Sequence, residues 1–177
     1  MHNFNLVVTT QRGNERACIR ELVMLVDEAG GPDVRLRKTW YPGLIAGTAE
    51  GDPVELVRKI RPLVEEDPWD LRFMLKLVPV QKIVQADVVK IKEAVGELSG
   101  AIPAGSSFKI SVSKRGSDLR TAEIIKEAAS VVVRKVDLEK PDWIVQIEII
   151  DDVAGVSVLH EDEILSVTKL QEKAMDV

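Results

Sequence analysis

The chain has 177 residues, of which 45% are hydrophobic and 30% are charged, and its formal net charge is -5. This composition is typical of a soluble globular protein with one ordinary or two small domains, and it disfavours extensive disorder. Neither the run of about 18 apolar residues that a membrane-spanning helix needs nor a signal peptide is present, so we expect a cytoplasmic protein without membrane association.

Charge is distributed unevenly along the chain. Residues 1–80 carry 11 Lys and Arg against 12 Asp and Glu, residues 81–136 carry 10 against 6, and residues 137–177 carry 3 against 11. A mildly acidic chain therefore contains one basic segment. Because affinity for phosphate depends on the local patch rather than on the net charge, a structured RNA that meets one face of the protein is compatible with this sequence.

Residues 1–80 contain six predicted elements, in the order strand, helix, strand, strand, helix, strand. Short runs rich in apolar and β-branched residues predict the strands at 4–9, 34–40, 44–48 and 71–78. The first helix has one apolar stripe, formed by Cys18, Leu22, Leu25, Val26 and Ala29. Asp52 and Pro53 are expected to begin the second helix as its N-cap and its first residue. This order predicts a ferredoxin-like βαββαβ domain.

Residues 81–170 are predicted to form a second, α/β domain. Its first helix has one apolar face, formed by Val84, Val88, Ile91, Val95 and Leu98. A strand at 108–112 and a helix at 121–133 follow. The run 143–150 is apolar at nearly every position, which predicts a strand buried on both faces. Strands at 153–159 and 164–168 complete the domain, the last at an edge, and we expect residues 171–177 to fray.

The segment 113–120, SKRGSDLR, is the candidate anion-binding site. It follows a predicted strand and precedes a helix, whose N-terminal N–H groups and dipole favour anions. Either Thr121 or Asp118 is expected to cap this helix. The cations that would contact phosphate or RNA are Lys109, Lys114, Arg115 and Arg120. The alternative is a solvated turn with ordinary surface cations.

A second group of cations lies on the first predicted helix. They recur every four residues and therefore share one side: Arg12, Arg16 and Arg20. These arginines are candidates to extend a track of phosphate contacts. The alternative is a solvated face on which they form ion pairs with Glu15 and Glu21, and the sequence leaves both interpretations open. A weaker third patch consists of Arg35, Arg37 and Lys38.

The sequence predicts no catalytic set, no cofactor and no metal site. His160 precedes the acidic run 161–163 without a second pair of ligands at a suitable spacing, and His2 lies at the N-terminus. Cys18 is the only cysteine and belongs to the apolar stripe, so we expect a packed thiol rather than a nucleophile. Three tryptophans are too widely spread to predict a base-stacking platform, and the last is expected in the core: Trp40, Trp69 and Trp143.

The chain resembles the THUMP domain together with its ferredoxin-like companion domain, as found in stand-alone THUMP proteins. The resemblance depends on the strand 108–112 with Lys114 and Arg115, on the helix from Thr121, and on the run VDLEKPDWIVQIEIIDDVAGVSVL at 136–159. TTQRGNE and GLIAGTAEGDP extend it over nearly the whole chain. In this family the module binds tRNA at the 3′ end of the acceptor stem and usually delivers it to a fused catalytic domain.

This resemblance implies a non-catalytic adaptor that presents tRNA to a separate modification enzyme. The stand-alone proteins assist an RNA cytidine acetyltransferase that makes acetylcytidine in tRNA, so that enzyme or another tRNA-modifying enzyme is the expected partner. The implied RNA-binding residues are Lys109, Lys114, Arg115, Arg120, Thr121, Arg12 and Arg16.

Two other functions are compatible with the residues. A ferredoxin-like half with Arg12 in its first loop is a possible acylphosphatase, although TTQRGNE lacks the glycine-rich anion loop of such an enzyme. The acidic segment 137–177, with a net charge of -8 from 3 basic and 11 acidic residues, suggests a module that docks a basic protein. Its acidity is also explained by solubility alone.

Overall fold

The computed structural model describes residues 3–176, which form two compact units. One unit comprises Asn3–Pro79 together with residues 162–176, and the other comprises Val80–Glu161. Each unit contains its own five-stranded sheet, so the mixed α and β fold class predicted from the sequence is confirmed. Met1, His2 and Val177 lie outside the described residues, so the predictions for His2 and for the last residue of the segment 171–177 are not addressed by the structure.

Fifteen helices and strands make up the two units in the described range. In chain order they are β1 (Leu6–Thr10), α1 (Glu15–Glu28), β2 (Val34–Lys38), β3 (Leu44–Ala49), α2 (Pro53–Glu66), β4 (Met74–Pro79), β5 (Lys82–Gln85), α3 (Val88–Leu98), β6 (Ser107–Arg115), α4 (Thr121–Ala129), β7 (Lys135–Val136), β8 (Trp143–Ile150), β9 (Val153–Leu159), β10 (Leu165–Ser166) and α5 (Val167–Met175). Two short 3₁₀ helices lie at Ser99–Ala101 and Glu161–Glu163. Between residues 3 and 176, no helix has the length and apolar character that crossing a membrane requires.

The first unit begins with the predicted ferredoxin-like order β1, α1, β2, β3, α2, β4. Its sheet has the strand order β10-β4-β1-β3-β2, and all pairs are antiparallel. Asp52 caps α2 by accepting a hydrogen bond from the Val54 N–H at 2.9 Å, and Pro53 is the first helical residue, as predicted. The stripe of α1, which includes Cys18 and Leu22, packs in one core with Leu6 of β1.

The C-terminal segment belongs to the first unit, which corrects the predicted division into residues 1–80, 81–170 and 171–177. Strand β10 pairs with β4 through Leu165 opposite Leu77 and Ser166 opposite Lys76. Helix α5 then continues to Met175, so most of the predicted frayed tail is helical. The physical reason is that β4 would otherwise expose an unpaired sheet edge, and the short strand β10 covers part of it.

The second unit is a sheet with the order β5-β9-β8-β6-β7, covered on one face by α3 and α4. Strand β6 runs parallel to β8 and β7, whereas β9 is antiparallel to both β8 and β5. Every residue of β8 after Trp143 is buried, which confirms the predicted strand with two buried faces. Val145 and Ile147 of this strand pack with Ile91 of α3 and Ile124 of α4.

The start of the second unit differs from the prediction. Val84 lies in strand β5, opposite Ala154 of β9, and does not belong to a helix. Helix α3 begins only at Val88, after Asp87, whose carboxylate accepts hydrogen bonds from two backbone N–H groups of the first turn. The prediction failed here because a single apolar residue at helical spacing carries little information when a sheet edge competes for it.

Replacing Leu165 tests whether the C-terminal segment is an integral part of the first unit. This side chain is completely buried in the core of that unit. We expect Leu165→Ala to lower the free energy of unfolding by about 2–5 kcal/mol, because it removes apolar contacts and leaves a cavity. Chemical denaturation measures this change. Thr168→Ala at an exposed position of α5 is the control, and an equally small effect of both substitutions would contradict this assignment.

Candidate nucleic-acid interface

Strand β6 is longer than the sequence predicts, and this changes the setting of the basic segment. The strand continues through Arg115, with Lys114 opposite Ile149 and Arg115 opposite Ile150 of β8. Both cations are therefore at the carboxyl end of a central strand rather than in a loop. The loop itself consists of residues 116–120 and leads directly into α4.

The alternation of side chains along β6 divides its cations between two faces of the sheet. Lys114 shares the face of Phe108 and Val112, whose side chains belong to or contact the core beneath α3 and α4. Lys109 and Arg115 are six residues apart and point to the opposite face. The structure thus does not bring all predicted cations of β6 onto one face.

Lys114 shapes the loop that follows it. Its ammonium donates a hydrogen bond of 2.5 Å to the carbonyl oxygen of Leu119, and the hydroxyl of Ser117 accepts one of 3.2 Å from the Leu119 N–H. Gly116 has a φ of 67°, a left-handed conformation that glycine adopts without strain. Lys114 is therefore a structural residue of the loop as well as a positive charge beside it.

The N-terminus of α4 has no side-chain cap. Arg120 occupies the N-cap position in an extended conformation, and Thr121 is the first helical residue, so neither Thr121 nor Asp118 is the cap that the sequence predicts. The Ile124 N–H donates to the Arg120 carbonyl oxygen at 3.0 Å. The N–H groups of the first turn therefore lack a side-chain acceptor, next to the exposed side chain of Arg120.

Several cations of this unit have no intramolecular partner. Among the described residues, no hydrogen bond or ion pair involves the side chains of Lys109, Arg120 and Lys126. Arg115 is exposed and donates only to the carbonyl oxygen of Lys114, at 3.0 Å. In contrast, Lys92 pairs with Glu127 at 3.0 Å, and Arg134 donates to the carbonyl oxygen of Ile102. The uncompensated charges flank β6 and α4.

Arg12, in the loop before α1, and the two arginines predicted beside it on that helix also lack ion-pair partners among the described residues. Arg12, Arg16 and Arg20 are exposed, and no ion pair in the described part of the chain includes them. Glu15 accepts hydrogen bonds from the N–H groups of Gly43 at 2.9 Å and Gly13 at 3.3 Å. Glu21 accepts from the N–H groups of residues 72–74. The predicted alternative, in which these two acids pair with the arginines, is therefore wrong.

Glu15 ties the loop after β1 to the turn between β2 and β3. The pKa of its carboxyl group is lowered, mainly by the hydrogen bond from the Gly43 N–H and also by those from the N–H groups of residues 15 and 13. Partial burial acts in the opposite direction and raises this pKa. The residue is only 7% exposed. The sequence contains one signal for this role, because Glu15 lies three residues before Cys18 and so falls on the apolar stripe, where a carboxylate needs partners.

Other candidate groups are used for packing. Burial foremost raises the pKa of the Cys18 thiol to about 12, and the side chain is inside the core. The imidazole of His160 lies against the indole of Trp143, with ring centroids 3.8 Å apart. Within residues 3–176, no group of three or more His, Cys, Asp or Glu side chains is arranged to hold a metal ion.

Comparison with protein families identifies part of the second unit. Residues 85–159 match the THUMP domain model. This range begins at the end of β5 and ends with β9, and it includes all of β6, the loop 116–120 and α4. The cations that lack partners around β6 and α4 therefore lie within the matched range. Comparison with curated protein sequences gives no match.

Solved structures share the fold over most of the chain. TrmN from Thermus thermophilus has a TM-score of 0.60 and 18% identity, over 88% of this chain and 45% of that one. PH1313 from Pyrococcus horikoshii has a TM-score of 0.60 and 17% identity, over 89% of this chain and 54% of that one. A 4-thiouridine synthetase solved as an RNA complex with bound ATP has a TM-score of 0.57 and 12% sequence identity, over 93% of this chain and 42% of that one. This chain thus spans about half the length of these proteins.

The contribution of Glu15 is testable by its dependence on pH. Its pKa in the folded protein lies below the ordinary value of 4.5, so the carboxylate stabilises the fold above pH 4.5 and loses this effect as the pH falls through the folded-state pKa. We expect Glu15→Gln to lower the melting temperature at pH 7 and the difference from the wild type to shrink below pH 4.5. The same substitution at the exposed Glu28 is the control. A difference that does not vary with pH would contradict this role.

The burial of Cys18 in the core of the first unit is also testable. Because the thiol is buried and its pKa is raised, we expect it to react with a disulfide reagent at pH 8 at least about 100-fold more slowly in the folded protein than after unfolding. Spectroscopic titration of the released thiolate, with and without denaturant, measures the ratio. Rapid reaction of the folded protein would show that the stripe of α1 is accessible.

Proposed function

We propose that this protein, in which residues 85–159 form a THUMP domain, is a non-catalytic tRNA-binding adaptor that acts in the cytoplasm. The observation that carries the proposal is a group of cations inside that domain that form no ion pair among the described residues. Arg115 and Arg120 flank the loop 116–120 at exposed positions, beside a helix N-terminus without a side-chain cap. Uncompensated cations at such a position favour phosphate groups.

Likeness to a protein solved with RNA supports the choice of ligand. The 4-thiouridine synthetase with this fold was crystallised as an RNA complex, and its match extends over 93% of the present chain. We propose that Lys109, Arg115 and Arg120 contact the backbone of tRNA near the 3′ end of the acceptor stem. Phosphate contacts orient the RNA but do not read its sequence, so shape and end geometry would select the ligand.

The adaptor role is proposed from the resemblance to stand-alone THUMP proteins. An adaptor needs a separate catalyst, and a tRNA cytidine acetyltransferase is the partner that this resemblance favours, with another tRNA-modifying enzyme as the alternative. In the described residues, Glu15 and Glu21 are engaged with backbone N–H groups, and the Cys18 thiol is buried. This engagement supports a binding role rather than a catalytic one.

Hydrolysis of acyl phosphates is disfavoured by the contacts of Glu15. An acylphosphatase would need the N–H groups around Arg12 to bind the phosphate of its substrate. Instead, the N–H groups of Gly13 and Gly43 donate to the carboxylate of Glu15. The Gly13 N–H beside Arg12 is therefore already paired with a carboxylate rather than open to a phosphate.

Docking through one acidic C-terminal surface is also disfavoured. The acidic segment 137–177 is divided between the two units, because the division falls between Glu161 and Asp162. Several of its acids are engaged within their own unit. Glu148 accepts from Gln146 at 2.9 Å, and the buried Glu163 pairs with Arg58. The net charge of this segment thus overstates the charge that a partner would meet.

Charge reversal at the two exposed arginines tests the proposed tRNA site. We expect Arg115→Glu combined with Arg120→Glu to weaken tRNA binding about tenfold or more, because each substitution replaces a cation beside a phosphate with a repelling carboxylate. The dependence of log K on log salt should become less steep by about 0.7–0.9 for each phosphate that the variant no longer neutralises. Filter binding or fluorescence anisotropy at several salt concentrations measures both quantities.

A matched control separates a local site from general electrostatics. Lys59→Glu combined with Lys173→Glu makes the same change in net charge at exposed positions of α2 and α5 in the other unit. We expect this variant to keep the affinity of the wild type within about threefold. Equally weakened binding in both double variants would contradict a local site, and unchanged binding in the arginine variant would reject it.

A further inference from the structure

Trp40 is the most exposed large apolar side chain among the described residues. Its exposed fraction is 92%, compared with 54% for Trp69, whereas Trp143 is packed against His160. Tryptophan is a costly residue to leave in water, since its indole presents a large apolar surface. A single exposed apolar side chain is common on protein surfaces, so the surroundings of this indole decide whether it indicates a ligand.

The turn that carries Trp40 is rigid. The hydroxyl of Thr39 donates to the Leu44 carbonyl oxygen at 2.8 Å and accepts from the Tyr41 N–H at 3.0 Å. Gly43 has a φ of 75°, and a Cβ atom there would lie 2.6 Å from the Thr10 carbonyl oxygen, so the turn fits closely against β1. The orientation of the backbone on both sides of Trp40 is thus fixed before any ligand binds, which lowers the entropic cost of stacking.

Glu15 brings the exposed indole and two arginines to the same end of the first sheet. Its carboxylate accepts from Gly13 in the loop after β1 and from Gly43 in the turn after β2. Arg12 precedes Gly13 in that loop, and Arg16 lies in the first turn of α1. Both arginines are exposed. The loop and the turn therefore form one surface, on which the arginines accompany the indole.

This surface carries a net positive charge. Residues 10–16 and 37–44 contain one acid, Glu15, against four cations, which are Arg12, Arg16, Arg37 and Lys38. The Glu15 carboxylate is buried and satisfied by backbone N–H groups. No ion pair among the described residues includes any of the four cations. The surface is thus suited to an anionic ligand with a flat apolar part.

We propose that Trp40 is a stacking platform for an unpaired RNA base, with Arg12 and Arg16 contacting the adjacent phosphates. A nucleotide in a single strand combines an exposed base with a phosphate, and proteins bind it through an aromatic side chain beside cations. A protein partner would favour an indole within an apolar surround, whereas the turn of Trp40 follows Arg37 and Lys38 and is tied through Glu15 to the loop of Arg12. This inference rests on the proposed tRNA-binding function and adds a contact in the first unit.

The interpretation of the tryptophans changes accordingly. Their wide spacing in sequence argued against a shared platform, and in the structure the most exposed of the three indoles lies in the turn that Glu15 ties to the loop after β1. Arg12 and Arg16, the predicted phosphate contacts, belong to the same unit as Trp40.

The test uses the full chain with three substitutions at exposed tryptophans. Trp40→Ala should weaken binding of tRNA about five- to hundredfold, the range expected for removal of one base stack. Trp40→Phe should retain most of the affinity because it keeps an aromatic face. Trp69→Ala is the matched control in the same unit and should bind like the wild type.

A direct probe of stacking complements the affinities. A single-stranded hexa-adenylate with one 2-aminopurine is titrated with each protein, and stacking on the indole should change the fluorescence of the probe. We expect this change with the wild type and its disappearance with Trp40→Ala. Melting temperatures should agree within about 2 °C across the variants, because an exposed side chain contributes little to stability.

The possible outcomes separate the two proposals. If the wild type does not bind tRNA, the proposed function fails. If the wild type binds, Arg115→Glu with Arg120→Glu weakens binding, and Trp40→Ala leaves both the affinity and the probe signal unchanged, only the stacking inference is overturned. It is equally overturned if Trp40→Ala abolishes binding to a protein partner without affecting RNA.

Discussion

The parallel pairing of β6 with β8 determines where the second unit can present positive charge. It is continuous over eight residues of each strand, from Phe108 opposite Trp143 to Arg115 opposite Ile150. Parallel strands need a crossover connection, and α4 lies within that connection. The basic end of β6 must therefore lead into the start of a helix, and the exposed Arg120 lies at that point. The fold thus places cations and unpaired N–H groups side by side without a dedicated binding loop.

Carboxylates act in the first unit mainly as acceptors for the backbone. Glu15 binds N–H groups from two separate loops, and Glu21 binds three successive N–H groups at the start of β4. Each acid therefore provides acceptors for backbone N–H groups that would otherwise be unpaired next to the buried stripe of α1. The same arrangement removes the acids from the arginines beside them. Glu15 and Glu21 therefore have two effects. They accept hydrogen bonds from backbone N–H groups, and they leave the nearby arginines without acidic partners.

Most helices and strands were predictable because their apolar residues follow one clear period. The stripe of α1 and the buried run of β8 are examples, and both form as expected. The errors occur where a distant partner decides the outcome. Lys114 and Arg115 extend β6 because β8 offers matching hydrogen bonds, and Val84 joins a strand because β9 is beside it. The positive charge of the candidate site could be predicted from the composition of the segment. The contact of Lys114 with Leu119 and the exposure of Trp40 could not, because both depend on tertiary structure.

The return of the chain to the first sheet has a consequence for the order of folding. Strand β10 is the last strand in the described part of the chain and occupies the edge next to β4, although 85 residues separate Pro79 from Leu165 in sequence. During synthesis, the first unit can reach its final five strands only after the whole second unit has left the ribosome. Until then β4 keeps an open edge, a state that is prone to pair with other chains. The pairing of β10 with β4 joins residues that are far apart in sequence, and contacts of this kind slow folding.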